Sequence, residues 1–588
     1  MNHTWSLKEL YPNFNAPSFM ADMTALEHAV VLLDKKADGL SNVSSIEAYM
    51  VTLEEIRKLS SKLYAFCNLS FSTDTSNQMA LQMRSKLQIL TSNLTAPMTK
   101  FMNFLAKLEE IDSLIASSEI LQKYAFVLNE SKNKASYLLT EQEEILASKL
   151  AITGSKAWNT LQQKLTSTLK ATVIANGEKK ELPITVIRNM AYDPSADVRK
   201  EAYTAELAAY KKIDEAVAMS LNSIKGEVLT LSGLRGYTSP LHMTLEQSRM
   251  TKATLDAMLE AMKKYMPQFH KYLKTKAKLL GHENGLPFYD LFAPIGNATK
   301  QFTYEEGCQF VLDNFKLFSD KLAETARIAM DKEWIDVEPR EGKVSGAFCS
   351  SLHPLGEFRV LLNYTGNLGD VTTMAHELGH GYHAICTNEE SILNIDYPMP
   401  LAETASTFCE TIVNNAALKI ATDDEALTIL ENSLQDATQV ILDIYSRFLF
   451  ESTLFSTRED HPLSVEELNQ AMLNAQKQAY GDGLDHEILH PNMWLIKPHY
   501  YSAGLNFYNF PYAFGLLFAK GLYAKYLTNP AFFIGKYDQL LAASGKMSVV
   551  DVCKIMDIDV ESTDFWESSL DIISKDIEQF ILLAEKTL

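Results

Sequence analysis

Long parts of this chain contain no helix-breaking residue and carry apolar side chains at helical spacing. Only 24 glycines and 18 prolines occur in 588 residues, well below the usual combined share of about 12%. The segment at 46–66, for example, repeats apolar residues every three or four positions, which is the pattern of an amphipathic helix. We therefore predict a mainly α-helical protein.

Helix starts are often marked by a serine or threonine followed three residues later by a glutamate, the capping box. This pairing occurs at three places that precede an apolar periodic segment: Ser44 with Glu47, Thr303 with Glu306, and Ser464 with Glu467. We predict that a helix begins at each of them.

Two segments depart from the helical pattern. Asn176 and Gly177 separate two short runs that contain β-branched residues, which is the strongest local signal of a β-hairpin. The segment FRVLLNY at 358–364 has the composition of a short strand. Because an exposed strand edge can pair with an extended peptide, we expect this segment to align a peptide by strand addition.

The hairpin also marks the best candidate domain boundary. We predict an N-terminal helical region over 1–110, a second helical domain over 111–190 that ends in the hairpin, and a third domain over 191–588. The alternative is an ordinary surface hairpin inside one domain.

Charge and hydropathy exclude several classes of partner. The formal net charge is −20, so a polyanion such as DNA would be repelled, and no basic run reverses this locally. The best apolar run, at 512–519, ends at Lys520 and is too short to cross a bilayer. The first twenty residues lack a signal-peptide pattern, and the six cysteines include no CxxC pair. We expect a cytoplasmic protein that binds neither nucleic acid nor membrane.

The most informative segment is DVTTMAHELGHGYHAICTN at 370–388. Asp370 suits the N-cap of a helix, and on that helix His376 and His380 point the same way, one turn apart. Glu377 lies one step around the helix, within reach of a water on a metal held by the histidines. In this H-E-x-x-H arrangement zinc lowers the pKa of bound water and the glutamate accepts its proton. A chance match is expected only about 0.02 times in such a chain, which disfavours the alternative of two surface histidines.

A catalytic zinc needs a third protein ligand and one open position. His383 lies on the same face, but along one straight helix it rises about 10 Å from His376. Metzincin spacing would require glycine at 383 and histidine at 386, where this chain has His383 and Cys386. The third ligand is therefore expected among the carboxylates downstream.

Of those carboxylates, Glu403 is the best candidate. Glu389 and Glu390 fall in a turn and are expected to be solvated, whereas Glu403 lies among small and apolar neighbours, where an unpaired carboxylate is unfavourable. Its alternative role is that of an acid near a helix N-terminus. Glu410, seven residues further on, suits a role in holding a ligand histidine by its other ring nitrogen.

At this point a resemblance adds to the argument. The segments HELGHGYH at 376–383 and LAETASTFCE at 401–410 resemble the signature of the thimet oligopeptidase superfamily, and within it the oligoendopeptidase F family. The likeness also covers 4–14, 153–169, 359–380 and 499–515, so that it spans nearly the whole chain.

The resemblance implies a two-lobed, mainly helical zinc-peptidase fold around a deep substrate channel, with one small β-sheet near the metal-binding helix. It makes 111–190 the oligopeptidase F N-terminal domain and 191–588 the catalytic domain. By position, the motifs imply one Zn²⁺ held by His376, His380 and Glu403, with Glu377 as general base and Glu410 as supporting acid.

Further groups are assigned around that site. We expect Asp370 and His383 to support the ligands, and Asn363 and Tyr364 to contact the substrate. In the family, the segment at 499–515 supplies a histidine and tyrosines that face the zinc. By this resemblance Tyr508 is the transition-state donor, with His499, Tyr512 and Tyr501 as further contacts. The alternative for these rings is core packing, which we predict for the phenylalanines at 507, 510 and 514.

The sequence as a whole thus predicts a zinc-dependent endopeptidase that hydrolyses oligopeptides, as a monomer or weak homo-oligomer. Another divalent ion could occupy the same ligands. Two alternatives stay open: an exopeptidase that trims the carboxyl end, which needs a cationic clamp for that carboxylate, and a non-catalytic peptide-binding scaffold.

Overall fold

The structure, a computed structural model, describes residues 3–175, 178–296 and 300–587. It is mainly helical, as the sequence predicts. The N-terminal helices are α1 (Pro17–Asp38), α2 (Val43–Thr73), α3 (Gln78–Ser92), α4 (Thr95–Ala106), α5 (Ile111–Ala116), α6 (Glu119–Lys123), α7 (Ala125–Ala135), α8 (Glu141–Thr153) and α9 (Ser155–Thr168). Strands β1 (Lys170–Ala175) and β2 (Glu178–Pro183) follow, and then α10 (Ile184–Asn189), α11 (Ala196–Tyr210), α12 (Asp214–Leu234), α13 (Pro240–Gln247) and α14 (Lys252–Leu279).

The remaining elements surround the H-E-x-x-H segment and continue to the C-terminus. They are α15 (Tyr304–Phe318), α16 (Asp320–Asp331), β3 (Ile335–Asp336), β4 (Phe348–Leu352), β5 (Glu357–Leu361), α17 (Leu368–Cys386), α18 (Met399–Ala402), α19 (Thr404–Ile420), α20 (Asp423–Thr438), α21 (Ile444–Asp460), α22 (Val465–Tyr480), α23 (Phe510–Thr528), α24 (Pro530–Ala543), α25 (Val549–Lys554) and α26 (Thr563–Thr587). Among the described residues, no helix is both long enough and apolar enough to cross a membrane.

The helices form two compact units. Unit 1 comprises Met1–Leu138, Thr299–Ala417 and Lys525–Ile558, and unit 2 comprises Leu139–Ala298, Leu418–Ala524 and Asp559–Leu588. The division of the chain into domains at 110 and 190 stays a prediction.

Two of the three predicted capping boxes are confirmed. Thr303 with Glu306 begins α15, and Ser464 with Glu467 begins α22. The third prediction is wrong, because α2 is capped by Asn42, whose side chain accepts the backbone N–H of Ser45 at 3.0 Å. The Ser45 hydroxyl completes the box by accepting the Asn42 backbone N–H. Three adjacent polar residues could each have capped this helix, and the sequence alone did not decide between them.

The predicted hairpin is present in unit 2. Strands β1 and β2 are antiparallel, with a register that runs from Lys170 opposite Pro183 to Ala175 opposite Glu178. The turn predicted at Asn176 and Gly177 lies outside the described residues.

A second, three-stranded sheet lies in unit 1, in the order β3-β5-β4. β5 pairs in parallel with β3 and antiparallel with β4. The predicted strand within 358–364 is therefore confirmed, but its expected role as a peptide-binding edge is wrong, since both of its sides are already paired. The open edge beside the central strand belongs to β4.

This sheet packs directly on α17. Phe358 and Val360 of β5 are fully buried, and a Cβ built on Gly381 of α17 would overlap the ring of Phe358. Only glycine at this position lets the helix lie so close to the sheet. The H-E-x-x-H helix is thus held against β4 and β5.

Candidate metal centre

The start of α17 is fixed by a network of capping hydrogen bonds. The Asn367 side chain accepts the Asp370 backbone N–H at 3.0 Å, and Asp370 Oδ2 accepts the backbone N–H groups of Thr365 and Gly366 at 2.7 and 2.9 Å. The helix therefore begins three residues earlier than predicted, and Asn367, not Asp370, is its N-cap. The Asp370 carboxylate organises the helix start, and its role as a support for the metal ligands stays a prediction.

On this helix the two motif histidines converge with a glutamate from the next segment. Ligand atoms of His376, His380 and Glu403 lie within 4.8 Å of one another. Glu403 Oε2 is 3.3 Å from His376 Nε2 and 3.4 Å from His380 Nε2. Two donors bound to one tetrahedral zinc at about 2.0–2.1 Å would be about 3.3 Å apart. The three side chains are also 22–30% exposed, so the cluster has a face open to solvent.

Glu403 reaches the histidines from the junction between α18 and α19. Its Oε2 also accepts a hydrogen bond from Ser406 Oγ at 2.7 Å. Burial opposes the charged form, but hydrogen bonds from His376 and His380 outweigh it and hold the pKa of Glu403 well below its usual range. The carboxylate is thus kept charged and aimed at the imidazoles.

Glu410 contacts the far side of the first histidine. Its Oε2 lies 3.3 Å from His376 Nδ1, which leaves Nε2 directed toward Glu403. Burial would lower the pKa of His376, but the Glu403 and Glu410 carboxylates raise it to about 10. The surplus of negative charge around this imidazole favours a bound cation, and a carboxylate on the second ring nitrogen is the usual support of a zinc-bound histidine.

Glu377 lies beside this cluster but does not belong to it. It is buried, and burial raises its pKa against the opposing effects of the nearby His376 and His380 charges and of a hydrogen bond from the Cys349 backbone. A carboxylate with a raised pKa is a stronger base. The contact with Cys349 places Glu377 against β4, an arrangement that the sequence analysis missed because it arises from sheet pairing.

The close approach of α17 to α19 depends on Gly379. A Cβ at this position would lie 2.6 Å from the Ala405 carbonyl oxygen and 2.7 Å from Ser406 Cα. Both atoms belong to backbone and cannot rotate away. The glycine inside the H-E-x-x-H motif therefore lets the Glu403 segment reach the two histidines.

His383 does not join the cluster. It is fully buried, its Nε2 lies 2.8 Å from Ser544 Oγ, and its ring stacks on Tyr397 with centroids 4.2 Å apart. Burial lowers its pKa to about 3, so it is neutral. The prediction that His383 supports the ligands is corrected: its contacts fasten α17 to the end of α24.

The two substrate contacts predicted just before α17 also have structural partners. Asn363 Nδ2 donates to the carbonyl oxygens of Val344 and Gly346 at 3.0 and 2.7 Å. The Tyr364 hydroxyl lies 3.2 Å from the carbonyl oxygens of Phe302 and Thr303. These donor groups hold neighbouring loops in place, and the contact of Asn363 and Tyr364 with a substrate stays a prediction.

The aromatic candidates at 499–515 lie in unit 2. His499, Tyr508 and Tyr512 are grouped, with ring centroids 4.9 Å apart for His499–Tyr508 and 5.8 Å for Tyr508–Tyr512, and all three are partly exposed. Tyr501 is wrongly assigned, because it is fully buried and its hydroxyl donates to the Trp494 carbonyl oxygen at 3.1 Å. The phenylalanines at 507, 510 and 514 are buried, as predicted.

Comparison with known families gives an independent result. The profile of "Peptidase family M3" matches residues 189–572. That of "Oligopeptidase F", an N-terminal domain, matches residues 106–170. The two matches together cover most of the chain.

Individual relatives agree with these matches. An oligoendopeptidase F homolog of Lactococcus lactis subsp. lactis is 26% identical over 99% of this chain and 97% of its own length. A solved structure from Chlamydophila abortus has a TM-score of 0.84 at 23% identity, covering 99% of this chain and 98% of that one. Oligoendopeptidase-F from Enterococcus faecium has a TM-score of 0.72 at 19% identity, covering 97% and 99%. At these identities the solved structures establish the fold alone.

The packing at Gly379 generates a testable prediction. We expect Gly379→Ala to push α19 away from α17, to destabilise the protein by about 1–3 kcal/mol and to weaken zinc binding by about 10–100-fold. Thermal unfolding and chelator-competition titration would measure these effects. Gly535→Ala is the matched control, because a Cβ there meets nothing within 4 Å. Unchanged zinc affinity in Gly379→Ala would contradict the role given to this glycine.

Proposed function

Because the chain belongs to peptidase family M3, we propose that it is a zinc-dependent endopeptidase that hydrolyses internal bonds of short oligopeptides. The observation that carries the proposal is the spacing of His376, His380 and Glu403, whose donor atoms lie as far apart as those around one tetrahedral zinc. A cytoplasmic location is part of the proposal and is supported by the cysteines, all six of which are free.

The chemistry follows from the donor set and its neighbour. A zinc ion held by these three side chains would supply a Lewis acid and a water of lowered pKa. Glu377 accepts the proton of the attacking water and returns it to the leaving amine. Burial suits Glu377 to this exchange, since its raised pKa brings it closer to neutral pH.

The open edge of β4 is the proposed docking strand for the peptide. The backbone N–H of Val360 in β5 donates to Trp334 at 2.9 Å, so it points toward β3 and away from β4. Cys349, which lies opposite Val360, is therefore in a non-hydrogen-bonded pair, and so is Ser351 two residues later. The backbone groups of Cys349 and Ser351 point away from β5.

A peptide added along this edge would run beside the general base. The Cys349 backbone lies near the Glu377 carboxylate, and Ser351 is exposed. Backbone pairing binds a peptide without regard to its side chains, which suits an enzyme that accepts varied oligopeptides. Strand addition thus keeps its predicted place in the mechanism, on β4 in place of β5.

Tyr508 and His499 complete the proposal as donors to the oxygen that becomes negatively charged in the transition state. Two observations support this assignment: the segment at 499–515 resembles the family segment that faces the zinc, and the rings of His499 and Tyr508 are grouped in unit 2. Tyr512 is proposed as a neighbouring substrate contact.

The general-base assignment is tested by Glu377→Gln. The amide keeps the shape of the side chain but cannot accept the proton, so we expect kcat to fall by about 10²–10⁴-fold while zinc stays bound. Turnover of a peptide blocked at both ends, followed by mass spectrometry, measures the rate and shows whether internal bonds are cut. Near-normal turnover would refute the assignment.

The third ligand is tested by Glu403→Ala. With only two imidazoles left, we expect bound zinc to fall well below one ion per chain after dialysis, as measured by elemental analysis. Glu389→Ala removes an exposed carboxylate and is the control that should keep full occupancy. Full occupancy in Glu403→Ala would move the third ligand elsewhere.

The docking strand is tested by Ser351→Pro. Proline removes the N–H directed to the open edge, a position where a strand tolerates it, so we expect kcat/KM to fall about tenfold with the loss of one peptide hydrogen bond at the active site. Ser351→Ala keeps the N–H and should behave like the wild type. Equal kcat/KM values for the two variants would exclude pairing at this residue.

A further inference from the structure

A cluster of charged side chains with unused hydrogen-bonding groups lies in unit 2. It is built on one continuous helix, in which a π-helical turn at Gln439–Asp443 joins α20 to α21. Such turns occur frequently at functional sites. Asp443 ends this turn, Arg447 follows one turn later, and Lys497 approaches from the segment before the aromatic group.

The cluster has more positive than negative charge. An Arg447 Nη2 to Asp443 Oδ2 ion pair is formed, and the same carboxylate oxygen is 3.8 Å from Lys497 Nζ. One carboxylate therefore faces two cations. The next acid, Glu206, lies 3.5 Å from Arg188 Nε and 3.6 Å from His490 Nε2, and it accepts the Tyr210 hydroxyl at 2.6 Å.

Several polar atoms of this cluster have no hydrogen-bond partner among the described residues. They are Asp443 Oδ2, Arg447 Nε, the Tyr500 hydroxyl, Ser446 Oγ and both ring nitrogens of His490. Buried polar groups in native proteins are almost always paired. Their concentration in one place indicates that a partner from outside the chain completes the cluster.

The unused groups define the chemistry of that partner. The Arg447 N–H, the Tyr500 hydroxyl and the Lys497 ammonium are donors, and the surplus charge is positive, so the partner is an anion. An arginine fork and a lysine together match a carboxylate with two acceptor oxygens. The Arg447 and Lys497 side chains are 18% and 17% exposed, whereas Arg447 Nε itself is buried.

The cluster adjoins the proposed substrate contacts of unit 2. His499 follows Lys497 by two residues, and the Arg447 and Lys497 charges, acting with burial, lower its pKa. Tyr508 and Tyr512 pack around the His499 ring. A carboxylate held by Arg447 and Lys497 would therefore lie beside the groups assigned to the peptide.

We propose that Arg447, Lys497 and Tyr500 bind a carboxylate of the substrate peptide, its C-terminal α-carboxylate in the first place. The inference rests on the proposed function and specifies its substrate class: short peptides with a free carboxyl end.

The ionisation of Lys497 is consistent with this role. Burial, with Arg447 and Arg188, lowers the pKa of Lys497 to about 7, and Asp443 and Glu206 oppose the change. A bound carboxylate adds a negative charge and favours the protonated amine. In the free protein Lys497 is therefore only partly protonated near neutral pH, and carboxylate binding raises the protonated fraction.

The test compares one oligopeptide as free acid and as C-terminal amide. We expect the ratio of their kcat/KM values to be about tenfold or more in favour of the acid, the size of one charge-assisted hydrogen bond, and to fall to near one in Lys497→Gln. Lys274→Gln is the matched control, since its ammonium pairs with Asp482 on the exposed surface of the same unit, and it should keep the wild-type ratio. If Lys497→Gln does not fold, the acid-to-amide ratio of kcat/KM in the wild type still tests the inference.

A second pair of amidated peptides, differing by Glu against Gln, identifies the source of the carboxylate. If kcat/KM differs only between the Glu and Gln peptides, and the difference disappears in Lys497→Gln, the result would support the same site with an acidic side chain as its ligand. Ratios near one for both pairs in a wild type that cleaves them would overturn the inference and leave the peptidase assignment intact.

A binding measurement separates a failure of the proposed peptidase function from a failure of the carboxylate-site inference. If no peptide is cleaved by the zinc-loaded protein, calorimetric titration of the same acid and amide into Glu377→Gln measures recognition without turnover. Tighter binding of the acid would support the clamp, and equal affinities would overturn it.

Discussion

The candidate metal centre depends on one close backbone approach, that of α17 to the start of α19 at Gly379. A side chain at this position would meet the Ala405 carbonyl at 2.6 Å, so the two segments can lie this close only around a glycine. Because Glu403 immediately precedes α19, the same approach brings its carboxylate within 3.3–3.4 Å of both imidazoles. The convergence of the three candidate metal ligands is thus a consequence of helix packing.

The other side of α17 is constrained in the same manner by the sheet. Gly381 admits the ring of Phe358, and β5 carries β4 beside it. Glu377 is thereby buried against the Cys349 backbone, which raises its pKa and places it next to the open strand edge. One helix thus directs the candidate ligands His376 and His380 toward Glu403 and the proposed general base Glu377 toward the strand. The two glycines that make this possible differ in what they contact, since one faces backbone and the other an aromatic ring.

The sequence could predict those parts of the fold and site that local periodicity determines. The four-residue spacing predicts that His376 and His380 lie on one face of their helix, and the seven-residue spacing predicts that Glu403 and Glu410 lie on one side of the next segment. In the structure both carboxylates lie within 3.3–3.4 Å of the imidazoles that they contact. The sequence could not predict which polar side chains would be used by distant backbone. Asn363 and Tyr501 are polar residues near the motifs, yet the Val344 and Trp494 carbonyls take their donor groups. The edge of the sheet was misassigned for the same reason, because the pairing of β5 with two strands is a tertiary property.

The candidate metal centre and the proposed carboxylate site have opposite electrostatic characters, and each carries an uncompensated charge. Around His376, the Glu403 and Glu410 carboxylates leave a surplus of negative charge, which a divalent cation would neutralise. Around Asp443, the Arg447 and Lys497 side chains leave a surplus of positive charge, which a carboxylate would neutralise. With a net charge of −20, the protein as a whole repels anionic peptides, although salt screens this repulsion beyond about 10 Å. The proposed recognition of a peptide's carboxyl end therefore depends on a local, partly buried pair of cations, where the lower dielectric strengthens the attraction and the surface charge is screened.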